Sequence, residues 1–499
     1  MPCKVFNQKE STLNSQYADR LPDLTESQIS NDLRNILRTS GYVDSGIQET
    51  LDQTSDELVL PGDGAPPTQL NTLLRLFFMQ KSVSIPEATE ALQPLDIESL
   101  VRSRYLRYDH DRICSLIRVE PYGDLLIARP RDVDLEHKIM AVSPATLELS
   151  NFTFRRHSHR TLDLGTGSGL QALLAATHSD VVCAVDINPW AVGAADFNAR
   201  WNGFSNVRCR LGSMFEPVAG EKFDLIVSNP PFVVSPGIRF RYRDSGIAGD
   251  KFAIGLARQA PSFLNEGGFL QMMLQWIEMD NETWHEKLTR SFSDLGCDVW
   301  VFRTQTETPE AYVAGWLRAN SEKTGDYDAS HSEWLHYLQE LGVRCIGSGL
   351  VTMQRRSGRN SIWFDEAPED RSKPYGLSVG QVFAARQHFE GMGERTVLDQ
   401  SLTVSPSLRL IQRSRVEGNG WGPSEAEFEL QAGLRYSYDN VDPVLAKIVA
   451  MCDGRRSIAG VLQQVESQNG LGIEQLTGRY LEQLLELTRY GFLELNAVN

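Results

Sequence analysis

From Arg160 to about Arg356 the chain alternates short apolar runs with segments of helical spacing, and this alternation restricts its fold more than any other feature. The runs are RTLDLGTGSG, VVCAVDIN, NVRCRLGS, FDLIVSNPPF, GGFLQMMLQW, CDVWVFRT and VRCIGSGLVTMQRR, seven in all. Between them LQALLAATHS, PWAVGAADFNARWNG, DKFAIGLARQAPSFLNEG and ETWHEKLTRSFSDLG place apolar residues three and four apart. A helical insertion from about Pro309 to Leu341 separates the last two strands. Strands joined through helices pair in parallel by crossover, and the helices then cover both faces of the sheet. The expected product is a doubly wound α/β domain over residues 131–365.

With 499 residues the chain exceeds what one core organises. Residues 1–20 are polar and expected to be flexible, and Leu51 to Gln69 reads as a loop from its Pro, Gly and Asp content. Over 21–130, QISNDLRNILRTSGY, NTLLRLFFMQ, PEATEAL and IESLVRSRYLRYD have helical spacing, and SLIRVEPYGDLLIARP reads as two strands around a turn at Pro121 to Gly123. Helices followed by a hairpin is the order of a winged helix, so a helical, winged-helix-like recognition domain is expected there. Over 366–499, SLTVSPSLRLIQRSR and AEFELQAGLRYSY look strand-like. DPVLAKIVAMCDGRRSIAGVLQQV reads as two helices broken at Asp453 and Gly454, and YLEQLLELTRYG as a third. That order suggests an α+β domain ending in a second winged-helix-like module.

The formal charge of −16 repels nucleic acid at long range, so contact with RNA or DNA would need a local basic patch. Seven cysteines without C-x-x-C spacing encode neither a disulfide framework nor a zinc site. The first residues lack an apolar signal core, and nowhere do about 18 uncharged apolar residues run together. A reduced, cytoplasmic setting without a membrane is therefore expected.

LDLGTGSG places Gly165, Gly167 and Gly169 where a strand turns into a helix, where glycine permits positive φ and close approach of a ligand. The G-x-G-x-G spacing fits a dinucleotide pyrophosphate less well than G-x-G-x-x-G does. Asp163, inside the motif, suits a positively charged amino-acid end. The next strand ends at Asp186, whose carboxylate can accept from both hydroxyls of an unphosphorylated ribose. Together these features indicate an adenosine-type ligand. IVSNPPFV then ends an apolar strand with Asn229, Pro230, Pro231 and Phe232. Neither proline can donate to a ladder, so the strand stops and these residues stand clear of the sheet.

LDLGTGSG, AVDINPWAVGAADFNARWNG and IVSNPPF, in this order and spacing, resemble the first, second and fourth motifs of class I S-adenosylmethionine-dependent methyltransferases, in the N-P-P-Y/F branch that methylates planar nitrogens. The likeness covers about residues 130–310 and is greatest to release-factor glutamine methyltransferases and related enzymes acting on rRNA guanine or tRNA adenine. AVSPATLEL at 141–149 loosely resembles the Pro-x-Thr-Glu segment of the glutamine enzymes. The resemblance implies a Rossmann-like, seven-stranded domain and S-adenosylmethionine as cofactor. It assigns Asp163, Gly165, Thr166, Gly167, Gly169, Asp186, Ile187, Ser213, Met214 and Asn229 to cofactor binding, and Asn229, Pro230, Pro231 and Phe232 to catalysis.

An amide or exocyclic amine nitrogen is a poor nucleophile because its lone pair is delocalised, so it has to be oriented toward the sulfonium methyl. The Asn229 side-chain carbonyl and the Pro230 backbone carbonyl can each accept one N–H and support the developing positive charge. Phe232 can stack on a planar amide or base. The sulfonium supplies its own leaving group, so the scheme requires neither a metal nor a titrating base. Two departures stand out: LGSMFEP offers Ser213 where the family carries an acidic adenine contact, and Phe232 replaces the Tyr more usual in glutamine enzymes.

SPGIRFRYRDSGIAGD carries Arg239, Arg241 and Arg243, which share one face if the segment is extended and could then grip phosphate or carboxylate. Arg243 with Asp244 is alternatively a local ion pair. Asp250 and Lys251 mark a helix start, His157 and His159 a solvated basic loop, and Tyr312, Trp316, Trp334 and Tyr337 of the insertion a packed helical core. The expected function is methyl transfer to a planar nitrogen of a protein glutamine, on a translation factor. An rRNA or tRNA base is the alternative, and a silent adenosine-nucleoside-binding scaffold a second one.

Overall fold

The computed structural model describes residues 21–24, 27–43, 68–131, 133–134, 137–140, 142–240, 242–319, 327–417, 420–430, 433–435 and 437–495. The expected flexible start at 1–20, and the expected loop up to residue 67, lie outside the described residues. The chain divides into two compact units, Met1–Leu149 with Arg156–Glu366 and Ser150–Arg155 with Ala367–Asn499. The boundary expected near residue 130 falls inside the first unit.

The first unit is organised by one mixed sheet. Its strands and helices are β1 (Ser158–Leu164), α1 (Leu170–Ala176), β2 (Ser179–Asp186), α2 (Pro189–Trp201), β3 (Val207–Leu211), β4 (Phe223–Ser228) and α3 (Lys251–Gln259). They continue with β5 (Leu264–Glu278), α4 (Trp284–Phe292), β6 (Cys297–Glu307), α5 (Pro309–Ala319), α6 (Tyr327–Glu340), β7 (Cys345–Arg355) and β8 (Ile362–Glu366). The spatial order is β8-β6-β7-β5-β4-β1-β2-β3. β7 runs antiparallel to both its neighbours, and the other pairings are parallel.

Seven of these strands are the ones the apolar runs predict. The eighth, β8, is an addition: five residues that pair in parallel with the outer edge of β6. A run that short, following RRSGRNS, signals a strand only once its partner edge is known. Helices bury the central strands on both faces, and β5 is accordingly buried without interruption from Gly268 neighbour Phe269 to Glu278.

The N-terminal elements pack on α2. Tyr105 lies against Phe197 and Trp201 at centroid distances of 6.5 and 6.3 Å, and Trp201 Nε1 donates to Ser30 O at 3.1 Å. In this region the helices Gln69–Leu73, Ile85–Ala91 and Ile97–Arg102 accompany a small sheet in which Arg112–Ser115 lies between Val83–Ser84 and Leu106–Asp109. Leu106–Asp109 therefore corrects the helix expected through IESLVRSRYLRYD. That helix ends at Arg102, Arg104 takes φ +62°, and the alternating residues after it pair back across a turn at His110. The hairpin expected at 115–130 is present as Ile117–Tyr122 paired with Leu125–Pro130.

Asn198 on α2 and Asn202, which caps its C-terminus one turn later, extend this hairpin. Asn198 Oδ1 accepts from Ala128 N at 2.9 Å while its Nδ2 donates to Ala128 O at 2.8 Å, and Asn202 repeats the pattern on Leu126. The two amides thus act as the hydrogen-bonding edge of a strand mounted on a helix. Asn198 Nδ2 also donates to Ser168 O at 2.8 Å, inside the glycine loop.

In the second unit, Ser401–Val404 lies between Asp453–Ser457 and Leu493–Leu495. The helices Pro443–Ala450, Ile458–Asn469 and Ile473–Arg489 bury Leu445, Ile448, Leu462, Tyr480 and Leu484 beside that sheet. The break expected at Asp453 and Gly454 is itself a strand. No helix among the described residues is long and apolar enough to cross a membrane.

Asn198 is fully buried, so Asn198→Leu strands three backbone groups without partners. At roughly 1 kcal/mol or more for each, a loss of about 3 kcal/mol is expected in urea unfolding followed by tryptophan fluorescence. An unchanged midpoint would mean that water replaces the amide.

Candidate active site

The ladders set the site. Leu164 is opposite Val185 on one side and Ser228 on the other, and Asp186 is opposite Leu211, so the carboxyl ends of β1 to β4 finish at one level. Ser228 Oγ donates to Leu164 O at 2.7 Å and ties the ends of β4 and β1 together. The cofactor-binding residues expected from the sequence all lie at or just beyond these four ends.

The glycine loop turns sharply after β1. Gly165 N and Thr166 N both donate to Val185 O, at 2.8 and 2.9 Å. Gly165, Gly167 and Gly169 have φ values of +75°, +57° and +91°. A Cβ on Gly165 or Gly167 would meet nothing within 4 Å, so the loop backbone is open on that side. A Cβ on Gly169 would stand 3.0 Å from Ala195 Cα and Cβ. The first two glycines leave room for a ligand and the third lets α2 approach the loop.

Asp163 lies beneath the loop. It is buried, and its Oδ2 accepts from Thr166 Oγ1 at 2.6 Å and Ala172 N at 2.9 Å. The carboxylate braces the loop from beneath, and Thr166 is its partner in that task.

Asp186 stands across the loop, with Oδ2 accepting from Gly167 N at 2.9 Å and Oδ1 from Asn188 N at 2.8 Å. A carboxylate has about four acceptor positions, so both oxygens retain capacity for ribose hydroxyls. Burial raises the Asp186 carboxyl above its ordinary range, and the backbone donors at Asn188, Gly167 and Ile187 offset only part of the rise. Beyond it Ile187 is 50% exposed and Leu211 39%, two apolar side chains left open beside the loop at the strand ends. Ser213 and Met214 follow β3, with Met214 at φ +47°. An open glycine turn, a ribose-type carboxylate and exposed apolar side chains suit an adenosine-containing cofactor.

At the end of β4, Pro230 is buried while Asn229, Pro231 and Phe232 are half-buried. Asn229 Nδ2 donates to Thr146 Oγ1 at 3.1 Å. Thr146 lies in the AVSPATLEL segment, on the helix Pro144–Phe152, and its backbone carbonyl accepts from Gln171 Nε2 of α1 at 3.0 Å. No site role was expected of Thr146, whose signal was the loose likeness of its segment. Phe232 packs partly into the core beneath β4 and β5 and partly onto the insertion helices.

Arg243 does not contribute to an exposed arginine face. Arg243 is buried, its Nε and Nη2 bind Asp244 at 2.7 and 2.9 Å, and its guanidinium lies over Phe240, Trp316 and Trp334. Asp244 also accepts from the backbone N–H groups of Arg239 and Phe240, which turns the described residues around it back on themselves in place of an extended strand. Arg239 is exposed, and Arg241 lies outside the described residues. The insertion grips this loop: Tyr312 Oη accepts from Val234 N at 2.9 Å, Trp334 Nε1 donates to Val234 O at 2.7 Å, and Tyr337 Oη accepts from Gly249 N at 2.9 Å. The aromatic core expected in the insertion is present, and it clamps the segment after Asn229.

Asp250 precedes α3 but does not cap it with its side chain. Its carboxylate accepts from Ile277 N at 2.9 Å and pairs with Lys287. His157 and His159 share the Asp180 carboxylate at the opposite end of β1. Among the described residues no group of three or more His, Cys, Asp or Glu could hold a metal ion.

This arrangement defines a class I S-adenosylmethionine-dependent methyltransferase, and residues 143–297 match the methyltransferase small domain family, to which the chain belongs. The release factor glutamine methyltransferase of Xylella fastidiosa is 31% identical over 228 residues, 38% of this chain and 82% of that enzyme. The enzyme of the same description from Geobacter sulfurreducens is 37% identical over 132 residues, 24% of this chain and 46% of its own length. A tRNA adenine N6-methyltransferase of Actinobacillus pleuropneumoniae is 36% identical over 124 residues, 24% of this chain and 52% of that enzyme. The last two alignments thus span about half of each relative.

Because its folded value is raised, protonation of Asp186 favours the cofactor-free fold, whereas ribose hydroxyls favour the carboxylate. Affinity for S-adenosylmethionine, measured by calorimetry, is therefore expected to be full at neutral pH and to weaken as pH falls through a range above that of an ordinary aspartate. Asp186→Asn is expected to lose about tenfold in affinity, the equivalent of one hydrogen bond to a charged group, and to lose this pH dependence. An unaltered pH profile in that variant would remove Asp186 from the ribose contact.

Proposed function

We propose that this methyltransferase transfers methyl to a planar nitrogen, and that its acceptor is the side-chain carboxamide of a protein glutamine. The observation that carries this reading is Asn229 standing at the end of β4, level with the glycine loop, its Nδ2 occupied by Thr146. That leaves Oδ1, together with the backbone carbonyl of the next residue, Pro230, as acceptors for the two N–H bonds of an NH2 group. Bound S-adenosylmethionine supplies the methyl on a sulfonium. Asn229 and Pro230 would hold the acceptor nitrogen with its lone pair toward that methyl, where the N–C bond could form with the sulfur as leaving group, keeping the C–S electron pair. The nitrogen then releases a proton to solvent. Gly165, Thr166, Gly167, Gly169, Asp186, Ile187, Ser213 and Met214 surround the cofactor in this reading, with Asp163 bracing the loop.

Three observations favour protein over RNA. Arg243 is consumed by Asp244, the segment after Asn229 exposes Ile238 at 63% and Ile247 at 48%, and the formal charge is −16. An apolar rim on an acidic protein suits a polypeptide better than a phosphate backbone. The relatives described as release factor glutamine methyltransferases support a translation factor as the acceptor and, with it, a cytoplasmic reaction. The N-terminal order of helix, strand, two helices and hairpin, and the similar order of 443–495, serve as winged-helix-like recognition modules in this proposal. The exposed Arg239 and the tRNA-modifying relative favour the RNA alternative.

With tritiated S-adenosylmethionine and extract from cells lacking the gene, label is expected to be protease-sensitive and RNase-resistant. Asn229→Ala is expected to lower its rate of appearance by about 100-fold, the usual cost of removing one charge-stabilising group. RNase-sensitive label would transfer the reading to an RNA base. Cofactor binding without any transfer would leave a nucleoside-binding scaffold.

A further inference from the structure

We infer that Thr146 is a positioning residue that sets which way the Asn229 carboxamide points, and that the N-terminal hairpin holds Thr146 in place. The inference rests on the acceptor role proposed for Asn229. A carboxamide has two ends of nearly equal size, a donor and an acceptor, and steric packing alone distinguishes them poorly. With Nδ2 outward, the site would present two N–H donors to an acceptor nitrogen that itself carries N–H donors, and binding would fail. A hydrogen-bonding partner on one side of Asn229 therefore decides whether the clamp works.

Thr146 supplies that partner. Its Oγ1 lies 3.1 Å from Asn229 Nδ2 and 3.0 Å from Ser143 Oγ, and Ser143 Oγ also accepts from Thr146 N at 3.3 Å. When the Thr146 hydroxyl proton points to Ser143, its lone pairs face Asn229 and can only accept. The direction Asn229 Nδ2–H to Thr146 Oγ1–H to Ser143 Oγ then leaves Oδ1 toward the acceptor. Thr146 is 8% exposed, so water competes little for these bonds.

Thr146 is anchored from two sides. Gln171 Nε2 of α1 holds its carbonyl, and Gln171 is itself buried directly after the glycine loop. On the other side Glu120 Oε2 of the hairpin accepts from Val142 N at 3.1 Å, one residue before Ser143. Glu120 Oε1 binds Arg129 and Arg118, both at 3.0 Å, and the same hairpin reaches the glycine loop through Asn198. The hairpin Ile117–Pro130 is thus a shared support for the acceptor clamp and the cofactor loop.

Thr146→Val keeps the side-chain shape and the backbone carbonyl but removes the acceptor, and Thr146→Ser restores it. In the labelling assay Thr146→Val is expected to lower the transfer rate at saturating cofactor by at least tenfold. Its calorimetric affinity for S-adenosylmethionine should stay within about twofold, and Thr146→Ser should recover at least a third of the wild-type rate. A second readout needs no acceptor. In asparagine-labelled protein, the side-chain amide proton pair that vanishes in Asn229→Ala should shift in Thr146→Val and return toward its original position in Thr146→Ser. Wild-type activity in Thr146→Val, equal impairment in Thr146→Ser, or an unmoved amide pair would each overturn the inference. If the wild-type protein transfers no label, the acceptor reading itself fails, and the amide resonances still decide whether Thr146 orients Asn229.

Discussion

Because β1 pairs in parallel with β2 on one side and with β4 on the other, three neighbouring strands deliver their carboxyl ends to one level, and the chain leaves each in a loop on the same edge of the sheet. Successive strands step outward to β3 in one direction and, from β4, to β5 in the other. A crevice opens where the direction reverses. The glycine loop, Asp186 and Asn229 are neighbours for that reason although Gly165 and Asn229 are 64 residues apart in sequence, and the bond from Ser228 Oγ to Leu164 O closes the joint between β4 and β1.

Around this joint the polar interior is arranged to hold backbone still. Asp163, Asn198 and Glu120 are buried side chains that bind backbone N–H or C=O groups of the glycine loop, α1, the hairpin or the segment before Thr146. Each such bond is worth little net in folding, but an unmatched partner in the same place would be costly. Buried polar groups of this kind therefore favour one loop conformation over its near neighbours. Beyond Asn229, Tyr312, Trp334 and Tyr337 do the same for Val234 and Gly249, and the Arg243–Asp244 pair lies against three aromatic rings. The insertion between β6 and β7 thus holds the segment that follows Asn229, at a long distance in sequence.

The residues with backbone work or strand-end positions were visible in the sequence. Glycines at 165, 167 and 169 declare a turn because only their φ values permit it, and Pro230 with Pro231 declares a strand end because neither can donate. Apolar alternation likewise declared seven strands and their helices. Side-chain partners were less visible. Arg239, Arg241 and Arg243 share a face only in an extended chain, and Asp244 prevents extension by gathering the backbone amides of Arg239 and Phe240. Asp163 sits where a charged ligand could be expected and turns inward because Ala172 N, at the first turn of α1, offers it a donor.

The sequence by itself determined the local conformations and, through them, the parallel sheet, the glycine turn and the presented Asn229, because these follow from φ restrictions, missing N–H groups and hydrophobic period, all properties of a few consecutive residues. Only the tertiary structure decided that β8 joins the edge, that Leu106–Asp109 is a strand, that Arg243 is consumed internally, that Thr146 bonds to Asn229 and that Asn198 bonds to the glycine loop. Each of those outcomes depends on which distant donor meets which acceptor once the core has closed, and no local property of the chain encodes that meeting.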